Sequence, residues 1–151
     1  MSVTYEMRLV MFRRAERPSP AGIDALRAMP MFAGLPDAML RHVDRNMAEI
    51  TLGPGAVLTR ENEYGREAFI VAEGIAEVHV DGVAISSVGP GDLVGEMSLL
   101  DGGPRTATVV ALTTLRVFVL DPREFGQLFS DPHAARWIAA TLSQRLREQP
   151  L

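Results

Sequence analysis

GEMSLLDGGPRTATV, residues 95–109, sets a glycine and a glutamate side by side and an arginine nine residues after the glutamate. Gly95 follows the apolar run of Leu93 and Val94, where a residue without a Cβ lets the backbone turn sharply. Glu96-Met97-Ser98-Leu99-Leu100 is predicted to form one short helical turn, whose first N–H groups have no partner inside the helix. Those donors, with the local dipole, attract an anionic oxygen. Glu96 offers carboxylate oxygens that accept from vicinal or ribose hydroxyls. Arg105 supplies a planar fork that bonds a phosphate with charge-assisted hydrogen bonds, and Thr106 adds a hydroxyl beside it. Asp101-Gly102-Gly103-Pro104 is turn chemistry that folds Arg105 back over the helical turn. The stretch therefore reads as a socket for a cyclic phosphate and its ribose.

Outward from this socket the pattern has period two. Between Ile50 and Leu120, Gly or Pro punctuates the chain every eight to twelve residues, which predicts a small antiparallel barrel or sandwich. Ala76, Val78 and Val80 alternate with Glu77 and His79, and Asp81-Gly82 signals a hairpin that returns through Val83 and Ile85. The last strands are expected within Thr106–Ala111 and Leu115–Leu120.

Both flanks read as helical. Tyr5, Leu9 and Phe12 recur at helical spacing before Pro18-Ser19-Pro20 breaks the chain. Ser19 caps a short helix carrying Ile23, Leu26 and Met29, which Pro30 ends. Pro36 opens a second helix, with Met39, Leu40, Val43 and Met47 on one side and Arg41, Asp44 and Arg45 toward water. After the strands, Asp121-Pro122 with Glu124 starts a helix through Phe125, Leu128 and Phe129. Asp131-Pro132 repeats the device for a longer helix along Ala135, Ile138, Leu142 and Leu146. Trp137 reads as a core or hinge anchor on it.

Composition closes several function classes. The 151 residues fit one domain, and 47% hydrophobic content argues against disorder. There is no Cys, which excludes thiol nucleophiles, disulfides and Cys-based metal or iron–sulfur sites. All fifteen basic residues are Arg, so Schiff-base catalysis and a Walker-type phosphate loop are both excluded. The net charge of −4 opposes nucleic-acid binding. Arg8, Arg13, Arg14 and Arg17 form a basic patch in the N-terminal segment, but without an aromatic platform. No stretch is apolar enough to span a bilayer, and Glu6 interrupts the N-terminal apolar run, so neither a signal peptide nor a membrane contact is expected and the cytoplasm is the expected compartment. His42, His79 and His133 are scattered over different elements and predict no metal site. No base is expected beside the phosphate socket other than Glu96, so the chain reads as a binder and not an enzyme.

On these residues the chain resembles the cyclic nucleotide-binding domain family over roughly residues 30–148. Phe32 with Gly34-Leu35-Pro36, Gly55, the Phe69-Ile70-Val71 strand ending at Gly74, Gly89-Pro90-Gly91-Asp92, the socket itself and Asp121 carry the resemblance. Within the family it is most similar to the binding domains of bacterial cyclic-nucleotide-gated potassium channels, and also to the catabolite activator family. The resemblance implies a mainly β fold with flanking helices: an eight-stranded antiparallel β-roll, a jelly-roll-like double-stranded β-helix, over about 48–120, with N-terminal helices before it and two C-terminal helices over about 122–148. Residues 1–19 are then a partly helical N-terminal segment and 20–151 the binding domain. Gly95 and Glu96 are implied at the ribose hydroxyl and phosphate, Arg105 at the cyclic phosphate, and the backbone N–H groups of Met97 and Ser98 nearby. Thr106 matches a position that touches phosphate or a guanine, which keeps cGMP open beside the preferred cAMP. Arg145 matches an arginine that covers the base, or else pairs with solvent or Glu148.

The sequence carries neither a helix-turn-helix after the last helix nor membrane helices before the roll. A stand-alone receptor is therefore expected, needing no cofactor besides its nucleotide. It would signal through its C-terminal helices to an unidentified protein effector, with a homodimer left open. A degenerate relative serving as a scaffold or interaction domain is the alternative.

Overall fold

The β-branched runs of the middle of the chain become short antiparallel strands, and the proline-opened segments on either side become helices. The computed structural model describes residues 10–12 and 21–148. In chain order these form β1 (Val10–Phe12), α1 (Ala21–Arg27), α2 (Asp37–Asn46), β2 (Ala48–Leu52), β3 (Val57–Thr59), β4 (Ala68–Glu73), β5 (Ala76–Val80), β6 (Val83–Val88), β7 (Leu93–Val94), α3 (Glu96–Asp101), β8 (Thr108–Ala111), β9 (Leu115–Leu120), α4 (Pro122–Phe129) and α5 (Pro132–Glu148). They fall into two compact units, one of strands within 48–122 together with β1, the other of helices within 21–47 and 123–148.

In the strand unit, β2 to β9 are the eight strands of the roll. One sheet runs in the order β1-β2-β9-β4-β7 and the other β3-β8-β5-β6, every pairing antiparallel. The inward residues of both sheets, among them Ile50, Leu52, Phe69, Val94, Val109 and Val117, form one continuous buried cluster. Burying each such side chain is worth roughly 1.5–3 kcal/mol. Register is fixed by that alternation, because a slip of one residue would turn the cluster outward. Arg116 on β9 marks the same register on the opposite face, bonding Glu73 of β4 at 2.7 Å and Glu49 of β2 at 3.4 Å.

Turn chemistry sets the corners. Asp81 and Gly82 have φ of +52° and +77°, the mirror-image turn that matches the twist of a two-residue hairpin. Gly74, at φ +93°, takes the chain from β4 to β5 past the Thr113–Leu115 backbone.

Phe12 departs from the sequence reading. Its spacing from Leu9 predicts a helix, whereas Val10–Phe12 is a strand whose residues pair with Thr51, Ile50 and Glu49 of β2. The outer ladder of β2 offers unpaired N–H and C=O groups, and three residues gain more by filling them than by forming less than one helical turn. Tyr5, Leu9, Ser19 and the arginines at 8, 13, 14 and 17 lie outside the described residues.

In the helical unit, the Pro36 carbonyl accepts the first bonds of α2, from Met39 and Leu40. Leu40 and Val43 are buried while Arg41 and Arg45 face water, and Asp44 is half-buried. The Asp131 Oδ2 accepts the Ala134 N–H at 3.0 Å, a side-chain cap on the first turn of α5. Asp131→Ala should lower unfolding free energy by about 1 kcal/mol. A urea midpoint equal to the parent's would show that this cap contributes nothing.

Candidate functional site

Gly95 adopts φ +83°, and from that left-handed turn the chain enters α3, which ends on Gly102 at φ +70° with its N–H bonded to the Ser98 carbonyl. Asp101 Oδ1 accepts the Gly103 N–H at 2.8 Å and shapes the turn toward Arg105. Glu96 and Ser98 are buried, and Met97 is half-buried. The N–H groups of Met97 and Ser98 belong to the first turn of α3, which has no intrahelical acceptor for them.

Arg105 is fixed from both ends. Its backbone N–H donates to the Glu63 carbonyl and its own carbonyl accepts from the Asn62 N–H, each at 2.8 Å. Thr59 Oγ1 donates to the Ala107 carbonyl, and Thr108 Oγ1 accepts the Glu61 N–H, so the whole 105–108 segment is stitched to 59–63. The residue is 7% exposed. Its Nη1 donates to the Gly95 carbonyl at 3.0 Å and its Nη2 to the Glu67 carbonyl at 2.7 Å, while Cζ lies 5.8 Å from the Phe69 ring centre. Burial pushes the guanidinium below its ordinary pKa, and the charges of Glu67 and Glu96 oppose that shift. A guanidinium nonetheless stays cationic across the physiological range. Two of its five N–H groups are spent on backbone carbonyls. A cavity of about 350 Å³ adjoins it, walled by Ile50, Leu58, Phe69, Thr59, Tyr64, Gly65 and Glu67 among others.

The structure thus brings Gly95, Glu96, Met97, Ser98 and Arg105 into one neighbourhood, with Thr106 next in the chain and exposed. Arg145 stands apart in sequence and unit, half-buried in the last turn of α5. Of the ligand-site residues named from the sequence, Arg105 alone lines the cavity. Sequence reasoning missed Gly65 and Glu67, which shape the guanidinium's surroundings. One contributes a missing side chain and the other a main-chain oxygen, and neither leaves a chemical signature in a residue name.

Residues 49–131 match the family model described as the cyclic nucleotide-binding domain, and the chain belongs to that family. It is 36% identical over 119 residues to a cyclic nucleotide-gated potassium channel of Mesorhizobium japonicum, covering 78% of this chain and 33% of the channel. The chain spans about a third of the length of the first curated relatives it matches. Among solved structures, the Thermus thermophilus catabolite activator protein is 30% identical, with a TM-score of 0.68 over 79% of this chain and 59% of that one. The regulatory domain of Toxoplasma gondii PKA, crystallised with cAMP, is 28% identical, with a TM-score of 0.64 over 74% of this chain and 46% of that one. Among the described residues, no helix is long and apolar enough to cross a membrane.

Proposed function

We propose that this chain binds a cyclic mononucleotide, cAMP in preference to cGMP, and releases it unchanged. The observation that carries the reading is the buried Arg105, held beside Gly95 with the buried Glu96 contributing to its electrostatic environment. A buried cation with donors to spare is matched by a ligand that brings one negative charge. A cyclic phosphodiester does so, and its adjoining ribose presents the hydroxyl that a carboxylate accepts. The relative crystallised with cAMP supports the choice of nucleotide.

Turnover would need a metal or a base placed against the phosphorus. Around Arg105 the structure offers main-chain carbonyls and the carboxylates of Glu67 and Glu96, of which Glu96 is assigned to the sugar. Thr106 adds a hydroxyl at the phosphate. The output is assigned to the helices of 122–148 on the pattern of the family. Any change in those helices is bounded by the nucleotide's differential affinity for the two states.

Titration calorimetry with cAMP and cGMP tests the reading: cAMP should give saturable heat with a stoichiometry near one per chain, and silence with both nucleotides would overturn it. Glu96→Gln should weaken cAMP through the ribose hydroxyl. The parent should therefore discriminate against 2′-deoxy-cAMP, and the variant should not; an undiminished discrimination by Glu96→Gln would remove Glu96 from the sugar.

A further inference from the structure

Gly65 lies in the connection between β3 and β4, where its backbone is outside the left-handed region and needs no glycine for conformational reasons. Its lack of a side chain has another consequence. A Cβ at this position would stand 2.5 Å from Arg105 Cζ and closer still to Nη2 and Nε. On the other side, a Cβ at Gly95 would overlap Nη1 and stand 3.2 Å from Cζ. The guanidinium therefore occupies a slot between two glycines, and the carbonyls of Gly95 and Glu67 bond it there from two directions.

We propose that Gly65 is a positioning residue for ligand recognition: the space left by its absent side chain is the space in which Arg105 is held ready for an anion. Gly95 already serves the turn through its positive φ, so its identity has a separate cause. Gly65 has only the slot. A methyl group there meets the far end of a long, rotatable side chain, not the main chain, and the adjoining cavity gives that side chain somewhere to go. Gly65→Ala thus expels the guanidinium from between its two carbonyls while the strands stay paired. The consequence for binding rests on the nucleotide reading above; the displacement itself does not.

Two measurements separate these. In the free protein, the Nε–H resonance of Arg105, identified by its disappearance in Arg105→Ala, should be dispersed and protected from exchange with water. In Gly65→Ala it should collapse toward the exposed arginines, whereas Gly53→Ala, which places a methyl where nothing lies within 4 Å, should leave it unmoved. Calorimetry with cAMP should then show at least about tenfold weaker binding for Gly65→Ala, a loss of 1.4 kcal/mol or more. Gly53→Ala should bind like the parent. In an Arg105→Ala background the added methyl should cost no further affinity and no further thermal stability, since the side chain it displaces is gone. A protected Arg105 signal that survives in Gly65→Ala overturns the proposal, as does an equal loss of affinity or stability in the Arg105→Ala background. Should the parent bind no cAMP, the nucleotide reading fails while the resonance still decides the role of Gly65.

Discussion

Arg105→Ala is expected to weaken cAMP binding by about 30- to 700-fold, the equivalent of roughly 2–4 kcal/mol, because truncating one member of a buried charge pair leaves the other desolvated and unpartnered. The structure gives a reason for placing the effect at the upper part of that range. The guanidinium is already ordered in the free protein, bonded to Gly95 and Glu67 carbonyls and packed near Phe69, so little side-chain entropy is left to lose when an anion arrives. Arg105→Lys should fall between parent and alanine. A single ammonium keeps the charge but cannot span two carbonyls and a phosphate with a planar fork. Calorimetry on the three proteins at one ionic strength measures this, and an alanine variant that binds as tightly as the parent would dismiss Arg105 from the site. Raising salt should change the affinities little relative to a surface cation, since screening acts weakly on buried charges.

The second large effect concerns stability. Gly74 and Gly65 look alike in crowding, since a Cβ at either would overlap a neighbouring atom, yet the obstacles differ. At Gly74 the obstacle is the Thr114 carbonyl oxygen, part of the turn that leads into β9, with Thr113 Oγ1 2.9 Å away, and φ is +93°. No rotamer change relieves a main-chain clash, and an L side chain in the left-handed region adds roughly 1–2 kcal/mol of its own. Gly74→Ala should therefore lower unfolding free energy by about 2–4 kcal/mol. For a chain of this size that corresponds to a melting temperature lower by roughly 5–15 °C. Thermal unfolding followed by circular dichroism checks it; a midpoint unchanged from the parent would mean that the Thr113–Leu115 turn yields without cost. Gly65→Ala, by contrast, should melt close to the parent while losing ligand.

Much of the roll was legible because its signals are local or periodic. Asp81-Gly82 takes two positive φ values that few other dipeptides accept, and Asp131-Pro132 supplies both the acceptor and the first-turn residue of α5. Alternation from Ala76 to Val80 places Val78 against the buried cluster and leaves Glu77 and His79 to pair with each other. β1 was not legible: three residues are too few to show an alternation, and their partner, β2, lies about forty residues ahead. At the site, Gly95, Glu96 and Arg105 are visible as residue types whose chemistry is in their side chains or their turn. The carbonyl of Glu67 is invisible in principle, because every residue has one and only the fold says where it points. Gly65 reads as one more loop glycine until the guanidinium beside it is seen.

The strand order has a consequence for how the molecule is made. Among the described strands β9 comes last in the chain, and it stands in the interior of its sheet between β2 and β4, with Glu49 opposite Phe118 across nearly seventy residues of chain. Until Leu115–Leu120 have left the ribosome, the inner edges of β2 and β4 face each other without the strand that joins them. The 95–105 segment, with Gly95, Glu96 and Arg105, is thus completed before the sheet that will hold it exists. Closure is a late, long-range event, slow in the way that non-local pairing is slow. A nascent chain halted before β9 exposes two open strand edges, the form most prone to pair with its neighbours.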